Sequence, residues 1–487
     1  MDDLALTTAI DEAEHLLDTL VMTGVVPSYP VFVCSVLQAR NNGAAANTIY
    51  GSFGHIYEQL LTTRLGKHGQ KLVGAKLTLL SRIAFKMFSA GRDSVSEEEY
   101  AVAERLYAKE YAVSGNITDW RLEFAESQII QVEAGEVKFT YKYAYYFLLA
   151  WFFDDGISNA QEAEDLKEQL IGMVEAAHVE VNVHTLVFYL YLSRDRELIE
   201  RIVAKAKSTL PDVKQCDITT DLEFANSLCN RHPGILAPPT DHKANRKQRN
   251  EERDAVLDEQ EEQGGEKGDG DGVEVARGFT LLDIMGQVVR NFPLDLRADL
   301  KFQLTAQSYA LSRRLETSFL ESIQRSYEPV VASLHAFMRR HQAFAKKSDE
   351  EIAYASNMFL VSFVEGVTMG IIKKLSFSIG IQELRETYQE VRAEAGEADI
   401  STRLIDLAIT LEHFARIPVP EVEQLKESLQ TNVVGYGLLR MLVGEYLALF
   451  PCDYKTRQRV EKLMDFKPND PQRVLDKRVR ALPAKTR

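Results

Sequence analysis

Cysteine is scarce in this chain, which contains four in 487 residues. Cys34, Cys216, Cys229 and Cys452 are scattered along it, and no pair has the C-x-x-C spacing of a zinc site or a redox centre. The pattern therefore predicts buried, reduced thiols, as in proteins of a reducing compartment, and no metal site built on cysteine.

Long apolar runs are also missing. The two most apolar stretches, residues 143–153 and 358–372, are shorter than the roughly 20 residues that a membrane-spanning helix needs, and the second contains Glu365. The N-terminus carries acidic residues where a secretory signal carries basic ones. We therefore expect no export signal, no membrane span and a cytoplasmic protein.

Positive charge is in deficit, with 57 Lys and Arg against 72 Asp and Glu and a formal net charge of −15. Because phosphate binding needs a concentrated basic surface, we do not expect the molecule as a whole to bind nucleic acid. Apolar residues make up 45% of the chain, which is typical of globular proteins, and the length predicts two to four domains.

Apolar residues nearly vanish between residues 231 and 277, where the sequence is rich in charged residues and glycine. Such a segment cannot bury enough surface to offset the entropy lost on ordering. We therefore expect a disordered charged linker at 231–277 that divides the protein into two halves.

Helical periodicity dominates the first half and is interrupted once. Three amphipathic segments predict helices at residues 77–90, 96–111 and 119–128. The second helix opens with a Ser96-x-x-Glu99 capping box, and from Ile129 an alternating pattern around a glycine predicts a β-hairpin. This order predicts a winged-helix-like module. The three regions expected before the linker are a helical region at 1–70, the winged-helix-like module at 71–153 and a helical region at 154–230.

The second half is predicted to be all helical. Apolar residues from Leu315 to Phe337 recur every three or four positions, which predicts one long helix. Ser-x-x-Glu and Thr-x-x-Glu capping boxes are expected at Ser348 and, before the linker, at Thr220. A C-terminal helical bundle of five or six helices at 278–460 and a basic tail at 461–487 complete a fold of the mainly α class.

A run of aromatic residues joins the predicted hairpin to the helix after it. The side chains that define it are Phe139, Tyr141, Tyr143, Tyr145, Tyr146 and Phe147. This strand-to-helix pattern resembles the segment after the nucleotide-binding domain of bacterial STAND-type NTPases, which are signal-transduction ATPases related to NACHT proteins. Since Lys142 is the only base among these rings, we expect them to pack in the core and not to stack on a nucleic acid.

Two further segments carry the resemblance. Residues 25–42 and 50–61 resemble the helical region between the NTPase core and the winged helix of that family, and residues 184–211 resemble a later segment in which Asp195 would begin a helix. The resemblance covers about residues 1–230. It implies a regulatory region that holds an ATPase inactive and couples its nucleotide state to a sensor or effector, often in anti-phage defence.

The chain departs from the family in lacking the P-loop motif G-x-x-x-x-G-K-[ST], since the nearest string has Ala75 in place of the lysine. We therefore expect no enzyme activity, no cofactor and no metal. The expected partner is a P-loop NTPase in cis or in trans, with this chain as either a fragment of a longer protein or one half of a split system.

Two other functions remain open. A winged helix can enter the major groove of DNA, although the predicted recognition helix has Arg121 as its only base against Asp119, Glu123 and Glu126. A partner-binding helical scaffold unrelated to NTPases is the second alternative. The pair His178 and His184, six residues apart, is expected to lie in a surface turn and not to bind a metal.

Overall fold

The computed structural model describes residues 53–66, 72–112, 118–159, 163–229, 237–249, 251–252, 271–344, 346–414 and 416–467. These residues are mainly helical with one small antiparallel sheet, so the predicted fold class is confirmed. The predictions for 1–52, for Cys34 and for most of the basic tail lie outside the described residues.

The helices and strands follow in chain order. The first eight helices are α1 (Phe53–Gly66), α2 (Val73–Ser89), α3 (Glu97–Glu110), α4 (Thr118–Glu126), α5 (Lys142–Asn159), α6 (Ala163–Glu175), α7 (Glu180–Ser193) and α8 (Arg196–Ser208). The strands are β1 (Ser94–Ser96), β2 (Ile130–Glu133) and β3 (Glu136–Phe139). Three short helices come next, α9 (Ile218–Asp221), α10 (Glu223–Ser227) and α11 (242–249).

The remaining helices are longer. They are α12 (Asp271–Asn291), α13 (Ala298–Arg325), α14 (Tyr327–Arg340), α15 (Asp349–Ile379), α16 (Arg385–Ala395), α17 (Ile400–His413), α18 (Val419–Ser428), α19 (Val433–Leu449) and α20 (Tyr454–Leu463). The C-terminal region therefore holds more helices than the five or six predicted.

Residue contacts divide the chain into two compact units. Unit 1 consists of Met1–Thr209 and Phe279–Arg297, and unit 2 of Leu210–Gly278 and Ala298–Arg487. These boundaries, at Thr209 and within α12, differ from the division expected at 231–277. Local composition revealed the charged segment, but long-range packing sets the boundary.

The predicted module of three helices and a hairpin lies in unit 1 as α2, α3, α4, β2 and β3. Its capping box is confirmed: Ser96 accepts a hydrogen bond from the Glu99 N–H, and Glu99 accepts one from the Ser96 N–H. The hairpin turns through Ala134 and Gly135 at φ 52° and 82°, the left-handed pair that a tight type I′ turn requires.

One strand of this module was not predicted. β1 is only three residues long, too short to show an alternating pattern, and it pairs antiparallel with β3 so that Val95 lies opposite Val137. The sheet order is β1-β3-β2. Val95 and Val137 are fully buried, and the sheet thereby closes the core of the module.

Helix α5 lies at the centre of unit 1. It is apolar on nearly all sides, which is typical of a helix buried all round, and α2 and α7 pack against it. The ring of Phe85 in α2 stacks on that of Phe152 with centroids 4.0 Å apart. Asp195 caps α8 by accepting a hydrogen bond from the Leu198 N–H, as predicted.

Helix α12 completes the core of unit 1. Leu282, Met285 and Val289 are fully buried, and Phe292, next to the helix end, stacks on Tyr191 at 6.4 Å between centroids. Residues 271–277 are thus the first turns of a helix. The predicted linker is wrong for that stretch, because the apolar residues that anchor the helix follow after 277.

The charged segment is also structured where 237–249 is described. In unit 2, the Ala237 N–H donates to the Lys467 carbonyl, and the side chains of His242 and Asn245 hydrogen-bond the Ala448 carbonyl at 2.9 Å. The two side chains satisfy the carbonyl of Ala448, which lies in the last turn of α19 and has no partner within that helix. Polar contacts therefore hold this stretch despite its shortage of apolar residues.

The single long helix predicted through residues 315–337 is instead two helices, α13 and α14, separated at Ser326. Pro329 explains the break, because a proline lacks an N–H and its ring clashes with the carbonyl four residues earlier, here that of Arg325. The predicted box at Ser348 is confirmed by its two hydrogen bonds with Glu351.

The capping box predicted at Thr220 and Glu223 is wrong. Asp217 caps the single turn of α9 by accepting from the Thr219 N–H, and α10 begins after Leu222 without a side-chain cap. Aspartate is a stronger N-cap than threonine, and Asp217 precedes Thr220 by three residues.

Helix α15 is long and apolar enough to cross a membrane by length and composition, and half of its most apolar window is buried. Within unit 2 it packs against α13, α14, α17 and α19. Glu365 near its middle is only 5% exposed. Helix α15 is therefore apolar because it is a core helix of unit 2, with neighbouring helices packed against it.

Candidate functional site

The aromatic residues singled out in the sequence lie around the start of α5. Tyr146 and Phe147 are buried, and Phe139 at the end of β3 is 9% exposed. Tyr141, Tyr143 and Tyr145 are partly exposed. The Phe147 ring meets the Phe188 ring edge-on at 5.5 Å, so Phe147 packs between α5 and α7, whereas Phe139 contacts the Tyr145 ring of α5.

His184 joins this aromatic group. It is a residue of α7 and not of a surface turn, and its ring stacks on Tyr146 at 5.1 Å and meets Tyr143 edge-on at 4.9 Å. Loss of solvent lowers the pKa of His184 to about 4, against the opposing influence of Glu180. The imidazole is therefore neutral at physiological pH and serves as one more packed ring.

Helix α4 is the helix that the sequence analysis expected to be the recognition helix of a winged-helix-like module. Arg121, its only base, forms an ion pair with Glu97 of α3, and Glu123 pairs with the buried Lys76 of α2. Leu122, between them in sequence, is 62% exposed. The solvent side of this helix therefore offers an apolar side chain and no unpaired base.

In the rest of the module, too, most basic side chains are paired with acidic ones, and apolar side chains are exposed. Residues 72–139 contain eight basic and eleven acidic side chains. Five of the eight bases are in ion pairs with acids of the module, which leaves Lys86, Arg105 and Lys109. Leu106 of α3 and Val132 of the wing are exposed, at 60% and 40%. Such a surface suits contact with a protein better than contact with phosphates.

No family model, curated protein or solved structure matches this chain.

Within the described ranges, no three His, Cys, Asp or Glu side chains are grouped so that they could hold a metal ion. Burial raises the pKa of Cys216, Cys229 and Cys452, which keeps these thiols protonated. A protonated thiol is a poor nucleophile, so none of the three is set up for covalent catalysis.

Unit 2 contains a buried polar cluster around Arg313 of α13. The Arg313 guanidinium donates to the Cys216 carbonyl and to Asp399, each at 2.8 Å, and the Arg313 carbonyl accepts from the Cys216 N–H. Glu316, one turn further along α13, is 3% exposed, and burial raises its pKa to about 7. This cluster ties the segment before α9 to α13.

A second buried charge cluster lies elsewhere in unit 2. Lys373 of α15 forms ion pairs with Glu412 of α17 and Glu445 of α19, both at 2.8 Å, and Arg249 also contacts Glu412. Lys373 and Arg249 lower the pKa of Glu412 to about 2 despite its burial. The positive and negative groups are matched, which is the pattern of a structural network that joins three helices.

A cavity of about 450 Å³ opens beside the Arg313 cluster, lined by residues of 214–227 and of 317–324. This cavity could not be predicted from the sequence, since the two stretches lie about ninety positions apart and neither contains a recognisable motif. Its size lies in the range of small-molecule sites.

Proposed function

We propose that this chain is a non-catalytic regulatory and interaction protein whose winged-helix-like module binds another protein. The observation that carries the proposal is the surface of α4, where the lone base Arg121 is already paired with Glu97 and Leu122 is exposed. A duplex-binding helix needs bases directed at phosphates and polar groups directed at base edges. An exposed leucine beside neutralised charges favours an apolar protein contact.

The partner that the resemblance to STAND-type NTPases implies is a P-loop NTPase, in cis or in trans, and we extend the proposal to it. Support comes from the ordered aromatic pattern from Phe139 to Phe147 and from Asp195, which caps the helix after that segment. In this proposal the chain works in the cytoplasm, and its module senses the nucleotide state of the NTPase.

A winged-helix DNA-binding regulator is the competing function. The module has three bases outside its ion pairs, whereas a duplex-binding protein neutralises several phosphates at once. A scaffold unrelated to NTPases would use the same exposed leucines, so the nature of its partner separates it from the main proposal.

Fluorescence anisotropy of the full chain with a labelled duplex tests the choice between protein and DNA. We expect no binding tighter than about 100 µM at physiological salt, the weak end of non-specific DNA binding under that condition. A variant with Leu122→Lys and Glu126→Lys is the matched control, because it adds two bases to the exposed side of α4 and should bind measurably more tightly. Micromolar binding by the unaltered chain, with a steep loss of affinity as salt rises, would refute the proposal.

A further inference from the structure

One face of α15 is apolar and exposed. Phe359, Phe363, Gly366 and Gly370 follow one another at intervals of four, three and four positions, so they form a stripe along one side of the helix. The two rings are 54% and 50% exposed, and both glycines are exposed as well. The stripe belongs to the half of the apolar window of α15 that the core of unit 2 does not bury.

No charged side chain interrupts the stripe. Between Ala353 and Ile372, Glu365 is the only charged residue, and it is buried. The exposed side of a core helix ordinarily carries charged and polar side chains. A contiguous exposed apolar face is instead typical of a surface that another molecule covers.

The neighbouring helix α14 enlarges this apolar surface. Its Phe337 is 65% exposed, and Val330, seven positions earlier and therefore on the same face, is 39% exposed. The Ser356 hydroxyl of α15 donates to the Met338 sulfur of α14 at 3.6 Å, which fixes the faces on which the two helices meet. Right-handed winding from that contact places Phe337 and Phe359 on the same side of the helix pair.

The exposed area is of the size that a dimer needs. An aromatic side chain has roughly 200 Å² of surface, so the exposed fractions of Phe337, Phe359 and Phe363 amount to about 340 Å². A standard interface buries about 800 Å² on each partner, a little more than half of it apolar, or about 450 Å². The three rings therefore supply most of the apolar area that one copy contributes to such an interface.

The stripe is complementary to itself. In an antiparallel pair of α15 helices with a two-fold axis between residues 364 and 365, Phe363 of one copy lies opposite Gly366 of the other, and Phe359 lies opposite Gly370. Both glycines offer space for a ring, because a Cβ built on either would meet no atom of the surrounding structure within 4 Å. A parallel pair would instead set ring against ring and glycine against glycine.

We propose that two copies of this chain dimerise through α15, packed antiparallel with the phenylalanines of each copy over the glycines of the other. A second copy fits the stripe better than a lipid surface does, because a fluid bilayer does not require large and small residues at matching intervals. The stripe from Phe359 to Gly370 is also only about 17 Å long, little more than half of the hydrocarbon thickness of a membrane. The surface lies in unit 2, so the proposal does not depend on the function proposed for the winged-helix-like module.

Size-exclusion chromatography of the full chain with light scattering tests the dimer. We expect the measured mass to rise from 55.0 kDa towards twice that value as the concentration passes through the micromolar range. Gly366→Phe should weaken dimerisation by about thirtyfold or more, because the added ring fills the space that Phe363 of the second copy occupies. Tyr354→Ala is the matched control, since Tyr354 is 58% exposed on the same helix but lies five positions from Phe359 and therefore on another face.

A size swap tests the pairing of residues itself. Phe363→Ala should also weaken the dimer, whereas the double variant of Phe363→Ala with Gly366→Phe again places a ring opposite a small residue and should recover most of the lost affinity. Circular dichroism should show that Gly366→Phe remains folded, because the position is helical and has open space beside it.

Three results would overturn the proposal. The first is a chain that stays monomeric up to about 100 µM, far weaker than a standard interface gives. The second is a dimer that Gly366→Phe weakens no more than Tyr354→Ala does, or that the double variant fails to recover. The third is a monomeric chain that co-sediments with vesicles of phosphatidylcholine and phosphatidylglycerol through the stripe, which would assign this surface to a membrane.

Discussion

Replacement of Phe147 by alanine should destabilise unit 1 strongly. The ring is fully buried, meets Phe188 edge-on at 5.5 Å and lies 6.1 Å from the Trp151 ring. Truncation of a buried phenylalanine costs about 3 to 5 kcal/mol, the sum of lost apolar burial and of the cavity left behind. Against a typical domain stability of about 5 to 15 kcal/mol, this is about a fifth of the total or more.

Tryptophan fluorescence gives a clean assay, because the only two tryptophans, Trp120 and Trp151, both belong to unit 1. Urea unfolding of the full chain followed at these residues should show a midpoint shift of the corresponding size without a change in slope. Leu122→Ala is the matched control, because Leu122 is 62% exposed and its truncation should change stability by less than about 0.5 kcal/mol. If Phe147→Ala also stays within about 0.5 kcal/mol, the packing described for α5 is wrong.

Three further predictions concern charge and ligand binding. Burial raises the pKa of Glu316 to about 7 from an ordinary 4.5, so this group lowers the stability of unit 2 by about 3 kcal/mol as pH rises through that interval. Glu316→Gln should reduce the loss of protection measured by hydrogen exchange of α13 peptides, and an unchanged pH profile would count against this cause. Burial lowers the pKa of His184 to about 4 from an ordinary 6.5, so the free energy of unfolding of unit 1 falls by about 3 kcal/mol as pH falls from 6.5 to 4. His184→Phe should reduce this loss of stability in urea unfolding followed by tryptophan fluorescence. An equal loss in both proteins would show that His184 is not its cause. Because the sequence lacks a P-loop, calorimetry should detect no micromolar binding of ATP to the chain, and such binding would contradict the proposed non-catalytic role.

Local signals in the sequence predicted those parts of the fold that local chemistry determines. The boxes at Ser96 and Ser348 and the cap at Asp195 form as expected, because each depends on residues three positions apart. The hairpin at Gly135 forms because a tight turn demands a left-handed residue. Pro329 is also a local signal, since a proline interrupts a helix, and the prediction of a single long helix there did not take it into account.

Long-range packing determined the rest. Strand β1 forms because Val95 pairs with Val137 across the sheet, and α12 from Phe279 onward belongs to unit 1, where Leu282, Met285 and Val289 are buried. Neither of these long-range contacts can be recognised from a short window of sequence. The same holds for the cavity of unit 2, because its lining residues Thr317 and Phe224 belong to no recognisable motif and come together only in the folded chain.

The most direct test of the proposed function is a photo-crosslink from α4 in the native cell. A photoreactive phenylalanine at Leu122, which is exposed, reports what touches the module, and the same residue at the exposed Gln169 of α6 is the matched control. We predict crosslinks from position 122, and not from 169, to peptides of a sequence that contains G-x-x-x-x-G-K-[ST], in the same or another chain. Crosslinks from position 122 to nucleic acid, or only to proteins without that motif, would contradict the account.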